Sequence, residues 1–304
     1  MRLLTRSDFD GLACAVLLKE LGLIDDYKFV HPKDIQDGLV EVTENDVLTN
    51  IPYVPGCGMW FDHHASENER LPDKGTFKGD WRETDSAARV IFDYFGGKQA
   101  FGKLSVMMDA VDKADAGRFT RDEIMNPSGW VLLSFIMDPR TGLGRFRDYK
   151  ISNYDLMMKM IGLCRSKTAE EILDDSDVQE RVVRYYTQDK LFRDMLEGHT
   201  KTDGNVIISD MRGVGEIQPG NRFMIYALFP EQNISIWLID GRQKQNAVFA
   251  VGHSIVNRTS RTNVGSLMLK YGGGGHLRVG TCQVAYDTAD RVLAELVNQM
   301  KKDG

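Results

Sequence analysis

The distribution of apolar residues divides the chain into three parts. Over the first 120 residues, short apolar runs of strand length alternate with longer amphipathic runs, which is typical of a parallel sheet with helices on both faces. Between Pro127 and about Leu196 only helical periodicities recur, and β-type runs then return. We therefore predict an α/β protein with a parallel-sheet N-terminal domain, a helical connector and a smaller α/β C-terminal domain, with domains over 1–197 and 205–304.

This pattern predicts individual elements. In the N-terminal domain and connector, the strands are expected over 3–5, 28–30, 46–49 and 58–61, and the helices over 12–21, 86–95, 104–112, 154–164 and 178–195. In the C-terminal domain, strands are expected over 206–209, 234–239, 248–251 and 279–284, and helices over 264–271 and 287–300. The polar segment 198–204 is predicted to be a turn-rich break between domains.

Clusters of ionisable residues follow two of the predicted strands. Asp62-His63-His64 comes directly after strand 58–61, and Asp8 and Asp10 follow strand 3–5. The carboxyl ends of parallel strands form the crevice where open α/β sheets bind ligands. Carboxylates and imidazoles that converge there suit a divalent-metal site for phosphoryl transfer. Taken separately, the two aspartates could cap a helix and the histidines could lie on the surface.

The composition of the chain excludes some binding partners and indicates a cellular compartment. The chain has 304 residues, of which 42% are hydrophobic and 27% charged, and its net charge of -6 argues against binding to long duplex nucleic acid. A short anionic ligand remains compatible with a local basic cluster. The four cysteines contain no CxxC pair, and no apolar run is long enough to span a bilayer. We expect a cytoplasmic protein with reduced thiols, no signal peptide and no membrane contact.

Four motifs follow one another along the chain: Asp8-x-Asp10-Gly11, Asp62-His63-His64, Asp115-Ala116-Gly117-x-Phe119 and Gly272-Gly273-Gly274-Gly275-His276. Their order and rough spacing resemble those of the DHH (Asp-His-His) phosphoesterase superfamily. The resemblance covers nearly the whole chain. It is closest to the small branch that includes nano-RNases, phosphoadenosine-phosphate phosphatases and exopolyphosphatase-like proteins, while RecJ-type exonucleases and family II pyrophosphatases are more distant.

The resemblance implies a metal centre that usually holds two Mn²⁺ ions, with Mg²⁺ as the alternative. It assigns Asp10, His63 and Asp115 to one ion and Asp8 to the other. It further implies that His64 faces the substrate or the attacking water, and that Asp62 orients a ligand imidazole. We therefore expect Asp62 and His64 to be the catalytic residues.

The chain departs from the family pattern around the second ion. Leu4 and Arg6 occupy places where relatives usually carry a histidine, and Asn50 stands where the metal-bridging aspartate is expected. A neutral amide is a poorer bridge between two cations, so the second ion is expected to bind weakly and the centre to hold one or two ions. His31 or Asp34 could compensate, or Arg6 could hold a substrate phosphate instead.

The C-terminal domain carries the expected substrate-binding residues. Without context, four consecutive glycines are more often a linker, but this run lies between a predicted helix and a predicted strand. By resemblance, the backbone of Gly273, Gly274 and Gly275 grips the substrate phosphate together with His276. Two arginines upstream, Arg258 and Arg261, match a segment that binds phosphate or base in the family, although they could equally be solvated surface arginines.

We therefore predict a metal-dependent phosphoesterase with its active site in an interdomain cleft. Its expected substrates are small: short single-stranded RNA, phosphoadenosine phosphate, linear dinucleotides or short polyphosphate. The competing hypothesis is a nucleotide-binding or sensing protein with a partly degenerate metal centre, and an inorganic pyrophosphatase is a third. A homodimer is compatible with the sequence.

Overall fold

A computed structural model describes residues 1–70 and 75–304 of the chain. The described residues form two compact units. The first unit comprises Met1–Arg118 and Pro127–Tyr185, and the second comprises Phe119–Asn126 and Tyr186–Gly304. The domain bounds 1–197 and 205–304 remain a prediction.

The described strands fall into two sheets. The strands are β1 (Arg2–Thr5), β2 (Asp26–Phe29), β3 (Asp46–Thr49), β4 (Met59–Asp62), β5 (Gly79–Trp81), β6 (Thr200–Asp203), β7 (Val206–Asp210), β8 (Ile234–Asp240), β9 (Ala247–His253), β10 (Gly274–His276) and β11 (Val279–Val284). The first sheet has the order β2-β1-β3-β4-β5, and all its pairs are parallel. The second has the order β10-β11-β9-β8-β7-β6 and is antiparallel except for the β7–β8 pair.

The described helices range from one turn to more than six. They are α1 (Phe9–Glu20), α2 (Pro32–Gln36), α3 (Ser66–Arg70), α4 (Ala87–Tyr94), α5 (Lys98–Phe101), α6 (Ser105–Asp115), α7 (Arg121–Met125), α8 (Gly129–Met137), α9 (Asn153–Ser166), α10 (Ala169–Leu173), α11 (Ser176–His199), α12 (Met224–Leu228), α13 (Val264–Leu269) and α14 (Ala289–Asp303). None of the helices in the described part of the chain is both long enough and apolar enough to cross a membrane.

Successive residues along a strand point to opposite faces of the sheet, so the strands of the first sheet contribute to two hydrophobic cores. Leu3 and Phe61 join the larger core with residues of α1, α4, α6 and α9. Leu4 and Trp60 face a smaller core with Ile35 of α2 and loop residues. Both faces of the sheet are therefore covered, which explains why the inner strands β3 and β4 are buried along their whole length. The α/β architecture predicted from the sequence is confirmed.

In the second unit, residues of β7, β8, β9 and β11 pack with residues of α13 and α14 in a hydrophobic core. Two local predictions in this part of the chain are wrong. Segment 198–204 contains the end of α11 and the edge strand β6, whose polar residues carry no apolar alternation. The glycine run is only partly a loop, because Gly274 and Gly275 begin β10 and pair with β11.

Candidate metal centre

The parallel register brings the carboxyl ends of β1, β3 and β4 together. Thr5 pairs with Thr49, and Thr49 pairs with Phe61, so the residues that follow these three strands share one edge of the sheet. Asp8 and Asp10 follow β1, Asn50 follows β3, and His63 follows β4. This is the edge at which open α/β sheets bind ligands.

Asp10 is buried at the start of α1 and is held by the N-terminus of α4. The backbone N–H of Ala87 donates to its Oδ2 at 3.0 Å, and that of Ala88 donates to its Oδ1 at 2.8 Å. The first amides of a helix have no partner within the helix and favour an anion. The carboxylate of Asp10 is therefore fixed in place even though it is out of contact with water.

His63 presents one ring nitrogen to the site. Its Nδ1 lies 3.0 Å from the carbonyl oxygen of Thr84, and only a protonated Nδ1 can donate to that oxygen. The neutral ring then carries its lone pair on Nε2, which is buried and has no hydrogen-bond partner in the described structure. Nε2 lies 3.3 Å from Oδ2 of Asp115 and 3.8 Å from Oδ2 of Asp10. Two carboxylates and an imidazole lone pair thus converge.

This donor set fits a divalent cation. Ligand atoms of Asp10, His63 and Asp115 all lie within 4.8 Å of one another. Burial and the negative charge of Asp115 raise the pKa of Asp10 to about 7. The protein therefore holds acceptors close together at an electrostatic cost that a cation would relieve. Mixed oxygen and imidazole ligands suit Mn²⁺ or Mg²⁺ better than a thiolate-seeking metal.

His64 has a different partner, and its pKa is raised. Its Nδ1 lies 2.8 Å from Oδ1 of the buried Asp62. Burial lowers its pKa, but the hydrogen bond to Asp62 and the surrounding carboxylates outweigh burial and raise it to about 9. The hydrogen bond to Asp62 therefore favours the protonated form of His64, which can donate a proton. The structure places Asp62 against His64, whereas the imidazole with the free lone pair, His63, is oriented by the Thr84 carbonyl.

Asp8 is engaged by three donors. The backbone N–H of Gly11 and Nδ2 of Asn50 both donate to its Oδ1 at 3.0 Å, and Nε of Arg6 lies 3.2 Å from its Oδ2. Asp8 is thus the N-cap of α1 as well as a residue of the site. Asn50 turns an N–H toward Asp8, and its backbone has a left-handed φ of 56°.

His31 has a separate structural role. It is exposed, and its Nδ1 accepts the backbone N–H of Lys33 at 3.1 Å, so it caps α2. None of the candidate metal groups in residues 1–70 and 75–304 includes His31 or Asp34. Neither residue compensates for Asn50 in this structure.

The network that supports Asp10 was not predicted from the sequence. Asp112 is buried and accepts from Oγ of Ser86 at 2.7 Å and from Nε of Arg89 at 2.7 Å. Because Ser86 caps α4, this network holds the helix end that orients Asp10. The sequence contains only weak signals for this network, namely a serine before a helix and an acidic residue three positions before Asp115.

Arg140 is a second omission. Its Nε lies 2.7 Å from Oδ1 of Asp138. Burial lowers its pKa, but the negative charge of Asp138 raises it, and so do those of Asp8 and Asp115 at the metal centre. Arg140 therefore adds positive charge near the site. It lies in a 3₁₀ turn, Pro139–Thr141, with no recognisable motif.

The predicted substrate-binding residues of the second unit lie on adjacent segments. The N–H of His253 donates to the carbonyl of Arg278 at 2.9 Å, and that of Val264 donates to the carbonyl of Leu277 at 3.0 Å. These bonds join the segment that carries Arg258 and Arg261 to the β10–β11 hairpin that carries His276. All three of these side chains are exposed. Their contact with a substrate remains a prediction.

Comparison with solved structures identifies the fold. The chain is 50% identical to a pGpG-specific phosphodiesterase, PggH from Vibrio cholerae, with a TM-score of 0.87 over 100% of this chain and 99% of that one. An exopolyphosphatase-related protein from Bacteroides fragilis is 13% identical, with a TM-score of 0.54 over 99% and 92%. RecJ in complex with Mn²⁺ from Thermus thermophilus is 14% identical, with a TM-score of 0.53 over 99% of this chain and 52% of that one.

No family model matches the chain, and no curated protein matches it. The full-length similarity to the phosphodiesterase nevertheless shows the family, and the conserved fold of the other two agrees with it. The chain belongs to the DHH phosphoesterase superfamily. The predicted superfamily is therefore confirmed, and with it the prediction of a metal-dependent phosphoesterase.

Proposed function

We propose that this protein hydrolyses short linear dinucleotides, pGpG first among them, with a divalent ion held by Asp10, His63 and Asp115. The observation that carries the proposal is the identity of 50% along the full length of a pGpG-specific phosphodiesterase. The converging ligand atoms of the first unit support it. Mn²⁺ is the proposed ion, with Mg²⁺ as the alternative, since both are bound to RecJ structures of this fold.

Different residues of the chain have different roles in the proposed hydrolysis. A divalent ion bound to these ligands supplies Lewis-acid stabilisation of the phosphate charge and activates water for attack. Asp10 and His63 are held in place by the amides of α4 and by the Thr84 carbonyl, so little rearrangement is needed. Attack of water on phosphorus would break the bond from phosphorus to the leaving 3′ oxygen. His64 would donate a proton to that oxygen and regain one from the water that has added, so that protons balance over the reaction.

The test is a comparison of substrates with the purified full-length protein and Mn²⁺. The panel contains pGpG, pApA, an RNA trimer, phosphoadenosine phosphate and tripolyphosphate. We expect the highest kcat/KM for pGpG, with two molecules of GMP formed from each. Faster turnover of phosphoadenosine phosphate or tripolyphosphate would show that a linear dinucleotide is not the preferred substrate. Binding of pGpG without hydrolysis would instead support a nucleotide-sensing protein.

His276 is proposed to contact the substrate phosphate from the second unit. His276 is exposed, so the substitution His276→Ala should leave the melting temperature and the metal content unchanged. Loss of a charge-assisted hydrogen bond of about 1.5–3 kcal/mol should lower kcat/KM for pGpG by about ten- to a hundred-fold. If His276→Ala keeps full kcat/KM, the residue does not contact the phosphate.

A further inference from the structure

Arg6 lies at the metal centre in a position that suits a second cation. It follows β1 directly, and its Nε lies 3.2 Å from Oδ2 of Asp8. The guanidinium is therefore paired with the carboxylate that lies two residues before the metal ligand Asp10.

The surroundings of Asp8 are already neutralised without a metal ion. Its Oδ1 accepts two N–H groups, from Gly11 and Asn50, and its Oδ2 is paired with Arg6. A cation at Asp8 would displace the guanidinium or approach the donated hydrogens of the Asn50 amide. In contrast, Nε2 of His63 is buried and unpartnered in the described structure. The charge of Asp8 is therefore compensated by donors of the protein, whereas the lone pair on Nε2 of His63 is left for a cation.

The side chain of Arg6 reaches solvent beside Asp8. Its recorded approach to that carboxylate is through Nε, at 3.2 Å from Oδ2. About a third of the side chain, 32%, is exposed. A guanidinium presents its donors in a planar fork that matches two oxygens of a phosphate. An arginine anchored through one nitrogen keeps that fork in a fixed orientation.

We infer that this centre holds one divalent ion, at Asp10, His63 and Asp115, and that Arg6 supplies the second positive charge by binding the substrate phosphate directly. The inference rests on the proposed function, because the phosphate it concerns is that of the dinucleotide. Asn50 has a matching role: as a donor it holds Asp8, and Asp8 holds Arg6. The chain thus replaces a metal ion by a side chain of fixed charge.

The first test counts metal ions and needs no turnover. Full-length protein is equilibrated with excess Mn²⁺, separated from free metal and analysed for manganese. We expect one ion per chain in the unmodified protein and two in the double variant Arg6→His/Asn50→Asp, which provides an imidazole and a second carboxylate in place of two N–H donors. Two ions per chain in the unmodified protein would overturn the inference.

The second test measures binding of pGpG by calorimetry, with Ca²⁺ in place of Mn²⁺ to suppress hydrolysis. Arg6→Ala should raise the Kd about ten- to a hundred-fold, and Arg6→Lys should restore part of the loss. Arg165→Ala is the matched control, since Arg165 also pairs through Nε with a carboxylate, Glu20 at 3.1 Å, and is 35% exposed. It should bind pGpG normally.

The two proposals fail in different ways. If the unmodified protein hydrolyses pGpG and Arg6→Ala binds it equally well, the role of Arg6 is wrong and the proposed function stands. If pGpG is bound through Arg6 with one ion per chain but is not hydrolysed, the proposed function is wrong and the inference stands. A folding defect is excluded by comparing the melting temperatures of the variants with that of Arg165→Ala.

Discussion

Replacing His63 with alanine should abolish both metal binding and hydrolysis. The Nε2 of His63 is the one imidazole donor among the ligand atoms that converge with Asp10 and Asp115. Without it, two adjacent carboxylates remain with no neutral ligand between them. Mn²⁺ at a hundred times its Kd should raise the free energy of unfolding of the unmodified protein by about 2.7 kcal/mol. We expect this stabilisation to disappear in His63→Ala, together with at least a hundred-fold loss of kcat/KM.

The chain offers a matched control for this prediction. His31 also follows a strand of the first sheet, but it caps α2 and is exposed. His31→Ala should cost about 1 kcal/mol of stability through loss of the cap and should keep the full stabilisation by Mn²⁺. Thermal melting with and without Mn²⁺ measures both effects. A Mn²⁺-dependent shift that persists in His63→Ala would show that the ion binds elsewhere.

The residues at the carboxyl edge of the first sheet could be predicted from the sequence, because a simple pattern identifies that edge. Apolar runs of strand length, each followed by polar residues, identify the carboxyl ends of parallel strands. Strand β3 has the predicted bounds of 46–49, β1 begins one residue earlier than predicted, and β4 is displaced by one residue at both ends. Convergence of Asp8, Asp10, Asn50 and His63 follows from the parallel register and needs no knowledge of side-chain contacts.

The partners of these side chains could not be predicted in the same way. Asp62 precedes two histidines, and nothing in the order of residues says which ring it will hold; the structure pairs it with His64. The support for Asp10 comes from the amides of Ala87 and Ala88, nearly eighty residues away along the chain. Such contacts depend on how a helix end is positioned against the sheet, which local patterns do not specify.

The polar edge strand β6 was also not predicted from the sequence. Strand β6 has no apolar alternation, because only one of its residues is partly buried, so its sequence resembles a turn. Its pairing with β7 is specified by the neighbouring strand and by the turn at Gly204, which has a left-handed φ of 61°. Strand order at an edge is therefore a property of the sheet more than of the strand's own sequence.

The glycines of the β10–β11 hairpin combine packing with the predicted contact to phosphate, and two substitutions separate these roles. A Cβ at Gly273 would lie 2.1 Å from the carbonyl oxygen of Thr281 and 2.5 Å from Cβ of Cys282. These atoms belong to β11 and cannot move without disturbing the sheet. A Cβ at Gly274 would have no atom within 4 Å. The first glycine is thus required by packing and the second is not.

Gly273→Ala should therefore destabilise the protein by about 1–3 kcal/mol, as overpacking of a closely packed site does, whereas Gly274→Ala should stay within about 0.5 kcal/mol of the unmodified protein. Urea unfolding followed by tryptophan fluorescence measures both. If the backbone at Gly274 approaches the substrate phosphate, its new methyl group will block that approach and lower kcat/KM for pGpG by at least ten-fold with stability unchanged. Full kcat/KM in Gly274→Ala would mean that the backbone at Gly274 does not approach the phosphate, and that His276 acts without help from the backbone beside it.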